Sequence, residues 1–303
     1  MTDARENRAR SGRSVKPARP IASDRMRLHD GRVIHFPAVM GVLNVTPDSF
    51  SDGGKYLDPE RAVEHAIEMQ DSGADIIDIG GESTRPVGAH AVSQDEELRR
   101  LVPVLRRLDG RLRVPFSIDT RKAEVARVAI EHGASMVNDV TALSYDPAMA
   151  RLVARTGSAV VLMHMRGSPE DHMRYARYRD VVIAVTGYLA ARARLATRVG
   201  ISPSRIIVDP GIGFAKTAHH NLALLGALPT LCALGYPVLV GTSRKTFIRR
   251  IAGESQREIE FGTAATDALA VAAGVSIVRV HDPGAARAAI RMAAAIARRN
   301  STR

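Results

Sequence analysis

From residue 38 onward the chain alternates short apolar, β-branched runs with longer segments whose apolar residues recur every three or four positions. The short runs are AVMGVL (38–43), DIIDIG (75–80), VPFSI (114–118), SMVND (135–139), SAVVLM (158–163), RIIVD (205–209), PVLVG (237–241) and SIVRV (276–280). Such runs, bounded by glycine or polar residues, predict buried strands. The segments between them predict helices near 59–72, 94–108, 121–132, 147–156, 180–199, 219–234, 259–273 and 283–298. Asp58-Pro59 and Asp146-Pro147 each put a capping carboxylate before a first-turn proline, and Gly73, Gly133, Gly200, Gly235 and Gly274 follow last turns.

Eight such units, with near-continuous apolar strands, predict an α/β fold of the (β/α)8 TIM-barrel type, because parallel strands buried on both faces lose the alternation of a half-exposed sheet. A doubly wound open sheet is the competing architecture, and no strand here runs into a GxGxxG turn. GRVIHF (31–36) predicts an N-terminal hairpin or strand plugging the barrel's mouth. The expected division is therefore a flexible, disordered basic tail over 1–30 and one barrel domain over 31–303.

Composition changes this picture little: 45% hydrophobic and 25% charged residues in 303 are ordinary for a globular chain. The net charge of +11 raises nucleic-acid binding as a function class. Nine Arg or Lys against four Asp or Glu fall within residues 1–35, so +5 of the +11 sits at the N-terminal end. With 4% aromatics and no Trp there is little on which to stack bases, so no specific nucleic-acid readout is expected. A basic balance suits anionic substrates instead. No apolar run reaches the roughly 18 residues of a membrane span, and the start of the chain lacks a secretory h-region. The one cysteine, Cys232 in ALPTLCALG, excludes an internal disulfide, suits a reducing cytoplasm, and is expected to be a buried structural thiol.

Barrel enzymes build their sites at the C-terminal ends of the strands. The residues there are Asn44; Glu82, Ser83, Thr84 and Arg85; Asp119; Asn138 and Asp139; His164; Asp209; Ser243, Arg244 and Lys245; and Arg279, His281 and Asp282. Polar residues at one strand end are commonplace; at all eight they indicate a site. Asp119, Asn138 and Asp209 would converge on a ligand with several N–H donors and acceptors, such as a nitrogen heterocycle. Arg279 and His281 offer an anion site beside the last strand, and Asn44 with a nearby carboxylate could hold a hard cation such as Mg2+ through oxygen. Heterocycle, metal and phosphate together suggest transfer from a diphosphate ester.

Seven motifs, MGVLNVTPDSFSDGG (40–54), DIIDIGGESTRP (75–86), FSIDT (116–120), VNDV (137–140), DPGIGFAKT (209–217), GTSRKTFI (241–248) and RVHD (279–282), together resemble the dihydropteroate synthase family over residues 31–298. The resemblance implies condensation of 6-hydroxymethyl-7,8-dihydropterin diphosphate with p-aminobenzoate, giving 7,8-dihydropteroate and pyrophosphate in folate synthesis. It implies a pterin site of Asp119, Asn138, Asp209 and Lys245, with Met163 against the flat face of the ligand and Gly241 at the end of its strand. It assigns the diphosphate to Asn44, Arg279 and His281, Mg2+ to Asn44 and Asp52, and catalysis to Asp119, Lys245, Arg279 and His281. The first loop, 46–54, and the second, with Thr84, Arg85 and Pro86, would close over the substrates, and Phe50, Phe214 and Ser243 would line the p-aminobenzoate subsite. An SN1-like reaction, sulfonamide binding and a homodimer are further implications.

Two features of these stretches depart from the family pattern. Val87 separates a Pro and a Gly that usually adjoin, and Thr141-Ala142 stands where Ser-Gly is commoner. A pterin-dependent methyltransferase barrel and a non-catalytic pterin-binding paralogue are the alternatives; neither needs the diphosphate motifs. His219-His220 reads as surface, since adjacent helical residues face different ways, and His164 as a strand-end residue outside the catalytic set.

Overall fold

The computed structural model describes residues 24–46, 58–82 and 92–300. Phe50, Asp52, Thr84, Arg85, Pro86 and Val87 lie outside the described residues, as does most of the expected tail.

A hairpin of β1 (Arg25–Arg27) and β2 (Val33–His35) opens the fold, with Met26 opposite Ile34. The barrel follows: β3 (Ala38–Asn44), α1 (Pro59–Asp71), β4 (Ile76–Gly80), α2 (Gln94–Leu108), β5 (Phe116–Asp119), α3 (Ala123–Glu131), β6 (Met136–Asp139), α4 (Met149–Thr156), β7 (Ala159–Met163) and α5 (Val181–Val199). Then come β8 (Ile206–Asp209), α6 (Ala218–Gly226), α7 (Leu228–Cys232), β9 (Leu239–Val240), α8 (Thr246–Ala252), α9 (Gln256–Ala272), β10 (Ile277–Val280) and α10 (Pro283–Asn300). Strands β3 to β10 are the eight that the apolar runs predict. All pair in parallel in the order β8-β7-β6-β5-β4-β3-β10-β9, and a bridge between Val208 and Val238 joins the two ends of that order. The fold is the expected TIM barrel.

Several boundaries differ from expectation, each for a local reason. Residues 24–30, assigned from sequence to the tail, supply the hairpin's first strand, so Met26 and Leu28 belong to the packed body. The helix expected over 219–234 breaks at Ala227, because Pro229 has no N–H to donate to the preceding turn. The segment after β9 folds into the short α8, and α9 starts at Gln256, fixed by a capping box between Ser255 and Glu258. Cys232 is half-buried rather than buried, on the rim of a cleft with Phe36, Tyr236 and Val275. Among the described residues no helix is long and apolar enough to cross a membrane.

Strand side chains alternate between the barrel's interior and its helix-covered outer face. Outward residues such as Val39, Ile77, Ile118, Val137, Val160 and Val278 pack with the helices in the main core. Inward residues Met40, Ile76, Met136, Val161, Ile207, Leu239 and Ile277 form a second cluster, closed by Met26, Leu28 and Ile34 of the hairpin. The hairpin is thus the apolar floor of the barrel. Two residues further along five of these strands, the same inward positions hold Asp78, Asn138, Met163, Asp209 and Arg279. One step of the strand repeat turns an oily floor into a mostly polar ceiling.

If the floor depends on the hairpin, truncating Ile34 (2% exposed) to Ala should lower unfolding free energy by about 2–4 kcal/mol in urea denaturation. His35→Ala, on the exposed side of the same strand, should stay within about 0.5 kcal/mol of wild type.

Candidate active site

The polar ceiling is organised around Arg279 on β10. Its Nε donates to Asp78 Oδ2 at 2.6 Å and its Nη2 to Asp119 Oδ2 at 2.8 Å. Asn138 Nδ2 donates to the same Asp78 oxygen at 2.9 Å. Four strands, β4, β5, β6 and β10, are thereby joined through side chains. Asp78 is fully buried, and its Oδ1 has no hydrogen-bond partner in the structure. It is a site residue that the strand-end reading misses, because it stands inside an apolar run rather than after it. Its inward parity, two residues beyond Ile76, is the sequence signal that could have found it.

Asp209, at the end of β8, accepts the Gly211 N–H at 2.7 Å. Gly211 has φ +65°, and a Cβ there would lie 2.1 Å from the His164 carbonyl oxygen, so only glycine lets the segments after β7 and β8 approach this closely. Lys245 caps α8, and its Nζ lies 4.3 Å from the centre of the Phe214 ring. Gly241 follows β9 directly beside Arg279. Ser243 and His281 meet through Oγ and Nδ1 at 3.0 Å, and the His281 N–H also points at Ser243 Oγ, at 3.3 Å. Met163 and Phe214 share an apolar patch with Val140 and Met165, while Asn44 sits half-buried at the end of β3. Asp119, Asn138, Asp209, Lys245, Arg279, Ser243 and His281 therefore all lie on the barrel's C-terminal face.

Three buried carboxyl groups, Asp78, Asp119 and Asp209, stand with the cations Arg279 and Lys245, and the buried Lys216 also attracts Asp209. Burial, with repulsion from Asp78, Glu97 and Glu82, lifts Asp119 well above the usual carboxylate range against the pull of Arg279. Burial lifts Asp209 to about 6, against the Gly211 N–H and the attraction of Arg279, Lys245 and Lys216. Burial and the nearby Arg279 lower Lys245 to about 8. A ligand with N–H donors, or one that becomes cationic, would favour the ionised forms of Asp119 and Asp209.

A second buried ionic group lies beside Asp119, at the ends of β4 and β5. Lys122 Nζ donates to Glu82 Oε2 and Glu97 Oε2, both at 2.5 Å. Arg121 Nη2 reaches Glu82 Oε1 at 2.9 Å and Glu170 Oε1 at 2.8 Å. Glu97 belongs to α2 and Glu170 to the segment after β7, so the group ties four parts of the rim together. The sequence reading has Glu82 at a strand end but no sign of its partners. His220, by contrast, does local work: it forms a capping box with Thr217 at the start of α6.

A parallel barrel whose C-terminal face gathers buried carboxyl groups beside Arg279, Lys245 and His281 has the architecture of the pterin-binding barrels. Residues 40–281 match the family described as "Pterin binding enzyme". The chain is 50% identical over 244 residues to the dihydropteroate synthase of Bacillus subtilis, covering 80% of this chain and 83% of that protein. Its structure resembles the Xanthomonas albilineans dihydropteroate synthase with 4-aminobenzoic acid, at a TM-score of 0.84 and 44% identity over 90% of this chain and 98% of that one. The same enzyme in complex with 7,8-dihydropteroate superposes at a TM-score of 0.80 and 41% identity, with the same coverage. The chain belongs to the dihydropteroate synthase family.

Asp78 carries a prediction of its own. Asp78→Asn should lower kcat/KM by at least about 10²-fold, because Arg279 loses one of its two charge partners inside the barrel. Steady-state kinetics on the folded variant would measure this.

Proposed function

We propose that this chain condenses 6-hydroxymethyl-7,8-dihydropterin diphosphate with p-aminobenzoate, releasing pyrophosphate and forming 7,8-dihydropteroate for folate synthesis. The observation that carries the reading is the convergence of Asp119, Asn138 and Asp209, from three strands, on one buried face where both carboxyl groups are raised by burial. In this reading the pterin's ring N–H and amino donors meet Asp119 and Asp209, Asn138 completes the edge, and Met163 packs against the ring face. As the C–O bond to the diphosphate lengthens, positive charge spreads from the exocyclic carbon into the ring. Asp119 and Asp209 stabilise it. Asn44, Arg279 and His281 take the departing pyrophosphate. The neutral amine of p-aminobenzoate then attacks the cationic carbon between Phe214, Lys245 and Ser243, and the resulting anilinium proton is acidic enough to leave to solvent.

Mg2+ fits this scheme as a cation arriving largely coordinated by diphosphate and water, since this ion usually keeps several waters and takes only one or two protein ligands beside phosphate. Asn44 offers one side-chain oxygen, and Asp52, its proposed partner, lies outside the described residues. When bound, the ion would offset charge on the leaving pyrophosphate. The thiol count, a single Cys232, supports a reducing cytoplasmic setting.

The most direct assay follows pyrophosphate release from the pterin diphosphate, with and without p-aminobenzoate. Release coupled to dihydropteroate formation, and reduced about 10²–10³-fold in Asp119→Asn, is the expected result. Pterin binding without product would favour a non-catalytic paralogue, and methyl transfer would favour the methyltransferase reading.

Protonation of Asp209 removes a charged acceptor from the pterin. kcat/KM for the pterin diphosphate should therefore fall as pH drops through about 6 in the free enzyme. Asp209→Asn should be weak throughout and lose that limb of the profile.

A homodimer is supported by an exposed apolar set on adjacent helices: Ile251 on α8, Phe261 and Leu269 on α9, and Met292 and Ile296 on α10, each more than half exposed. Light scattering should give twice the chain mass for wild type and the monomer mass for Phe261→Glu combined with Leu269→Glu. A monomeric wild type would overturn the dimer.

A further inference from the structure

Lys216 is 2% exposed and has no part in the scheme above. Its Nζ lies 2.8 Å from the Phe214 carbonyl oxygen, 3.3 Å from the His164 carbonyl oxygen and 3.1 Å from His164 Nδ1. An ammonium has three protons and no acceptor, so these three contacts use it completely. The third requires neutral His164 with its proton on Nε2. Burial and the charges of Lys216 and Arg166 keep His164 neutral, with its pKa lowered to about 3. Burial likewise lowers Lys216 to about 7, against the attraction of Asp209, so this charge is held at a cost that a methionine of equal length would avoid.

The backbone that Lys216 grips is under strain. Ala215, between Phe214 and Lys216, has φ +51°, a conformation that L side chains rarely adopt, and its N–H donates to His172 Nδ1 at 2.7 Å. Gly213, one residue before Phe214, lies so close to Lys245 that a Cβ would sit 3.1 Å from its Cδ. The Phe214 ring under Lys245 is therefore carried by a tight turn. That turn is held from behind, across the gap between the segments after β7 and β8, by the Lys216 ammonium and the imidazole of His164.

We infer that Lys216 is a positioning residue for the second substrate: by clamping the Phe214 and His164 carbonyls together, it holds the Phe214 ring against Lys245 as a wall of the p-aminobenzoate subsite. The inference rests on the proposed synthase reading for the identity of that substrate, though not for the clamp. It weighs mainly on the second substrate, because the pterin-side groups Asp119 and Asn138 are joined through Asp78 and Arg279 away from this turn, while Asp209 is held by its own bond from the Gly211 N–H.

The test is Lys216→Met in the full chain, with KM determined for each substrate and thermal unfolding followed by circular dichroism. The expected result is a KM for p-aminobenzoate raised roughly tenfold or more, a KM for the pterin diphosphate within about threefold of wild type, and a cooperative melt. An unchanged KM for p-aminobenzoate, or an equal loss for both substrates, overturns the inference. Should Lys216→Met fail to fold, His164→Asn and His164→Leu carry the same test. Asn can keep an acceptor near Nδ1 and should behave as wild type, whereas Leu should raise KM for p-aminobenzoate alone; equal behaviour of the two overturns the clamp. A crystal structure of Lys216→Met, or of His164→Leu, should have the Phe214 ring displaced from Lys245. A ring still in place overturns the inference even if the wild-type protein makes no dihydropteroate, an outcome that would separately end the synthase reading.

Discussion

Arg279 is bonded to two carboxylates inside a barrel, and one of these, Asp78, is also bonded to Asn138. Desolvated charges of this kind are tolerated only when paired, and removing one partner costs more than the pair itself is worth. The pairing here leaves Asp119 and Asp209 raised above ordinary carboxylates by burial. The site is consequently assembled before any ligand arrives, with two carboxyl groups that added positive charge would draw into their ionised forms. A substrate that develops a cation during bond breaking supplies that charge when its transition state forms, the moment at which differential binding accelerates a reaction.

The fold makes such a cluster affordable by separating it from the part of the barrel that stabilises the chain. Below the polar layer, Met40, Ile76, Met136, Ile207 and Ile277 form an apolar floor sealed by Met26, Leu28 and Ile34. Around it, the outward strand residues and the helices make the main core. The polar layer can be electrostatically strained because the two apolar layers do not rely on it. Above it, Ala215 and Arg244 hold positive φ in segments that carry Phe214 and Lys245, so backbone strain is concentrated where side chains must be aimed.

Much of this is legible in the sequence, for identifiable reasons. A parallel strand buried on both faces is an apolar run, so all eight barrel strands can be read directly, and the strand-end rule then puts Asp119, Asn138, Asp209, Lys245 and Arg279 among its candidates, which the family resemblance narrows. Asp78 is harder, because it lies within its strand, and only the two-residue alternation points it inward. The ionic partners Glu97 and Glu170 are not legible at all: one is a helix residue among many charges, the other a loop residue, and their burial is a product of packing. The hairpin's first strand, RMR, hides for a related reason, as one methionine between two arginines gives a single apolar position to read.

The response of these carboxyl groups to positive charge can be measured without turnover. Isothermal titration would compare a pterin analogue bearing a fixed positive charge on the ring with a neutral analogue of the same shape, in wild type and in Asp119→Asn. Carboxyl groups raised by burial should bind the cation at least about tenfold more tightly, with most of that preference lost in Asp119→Asn. Equal affinity for the two analogues in wild type would contradict the idea that Asp119 and Asp209 stabilise a cationic transition state.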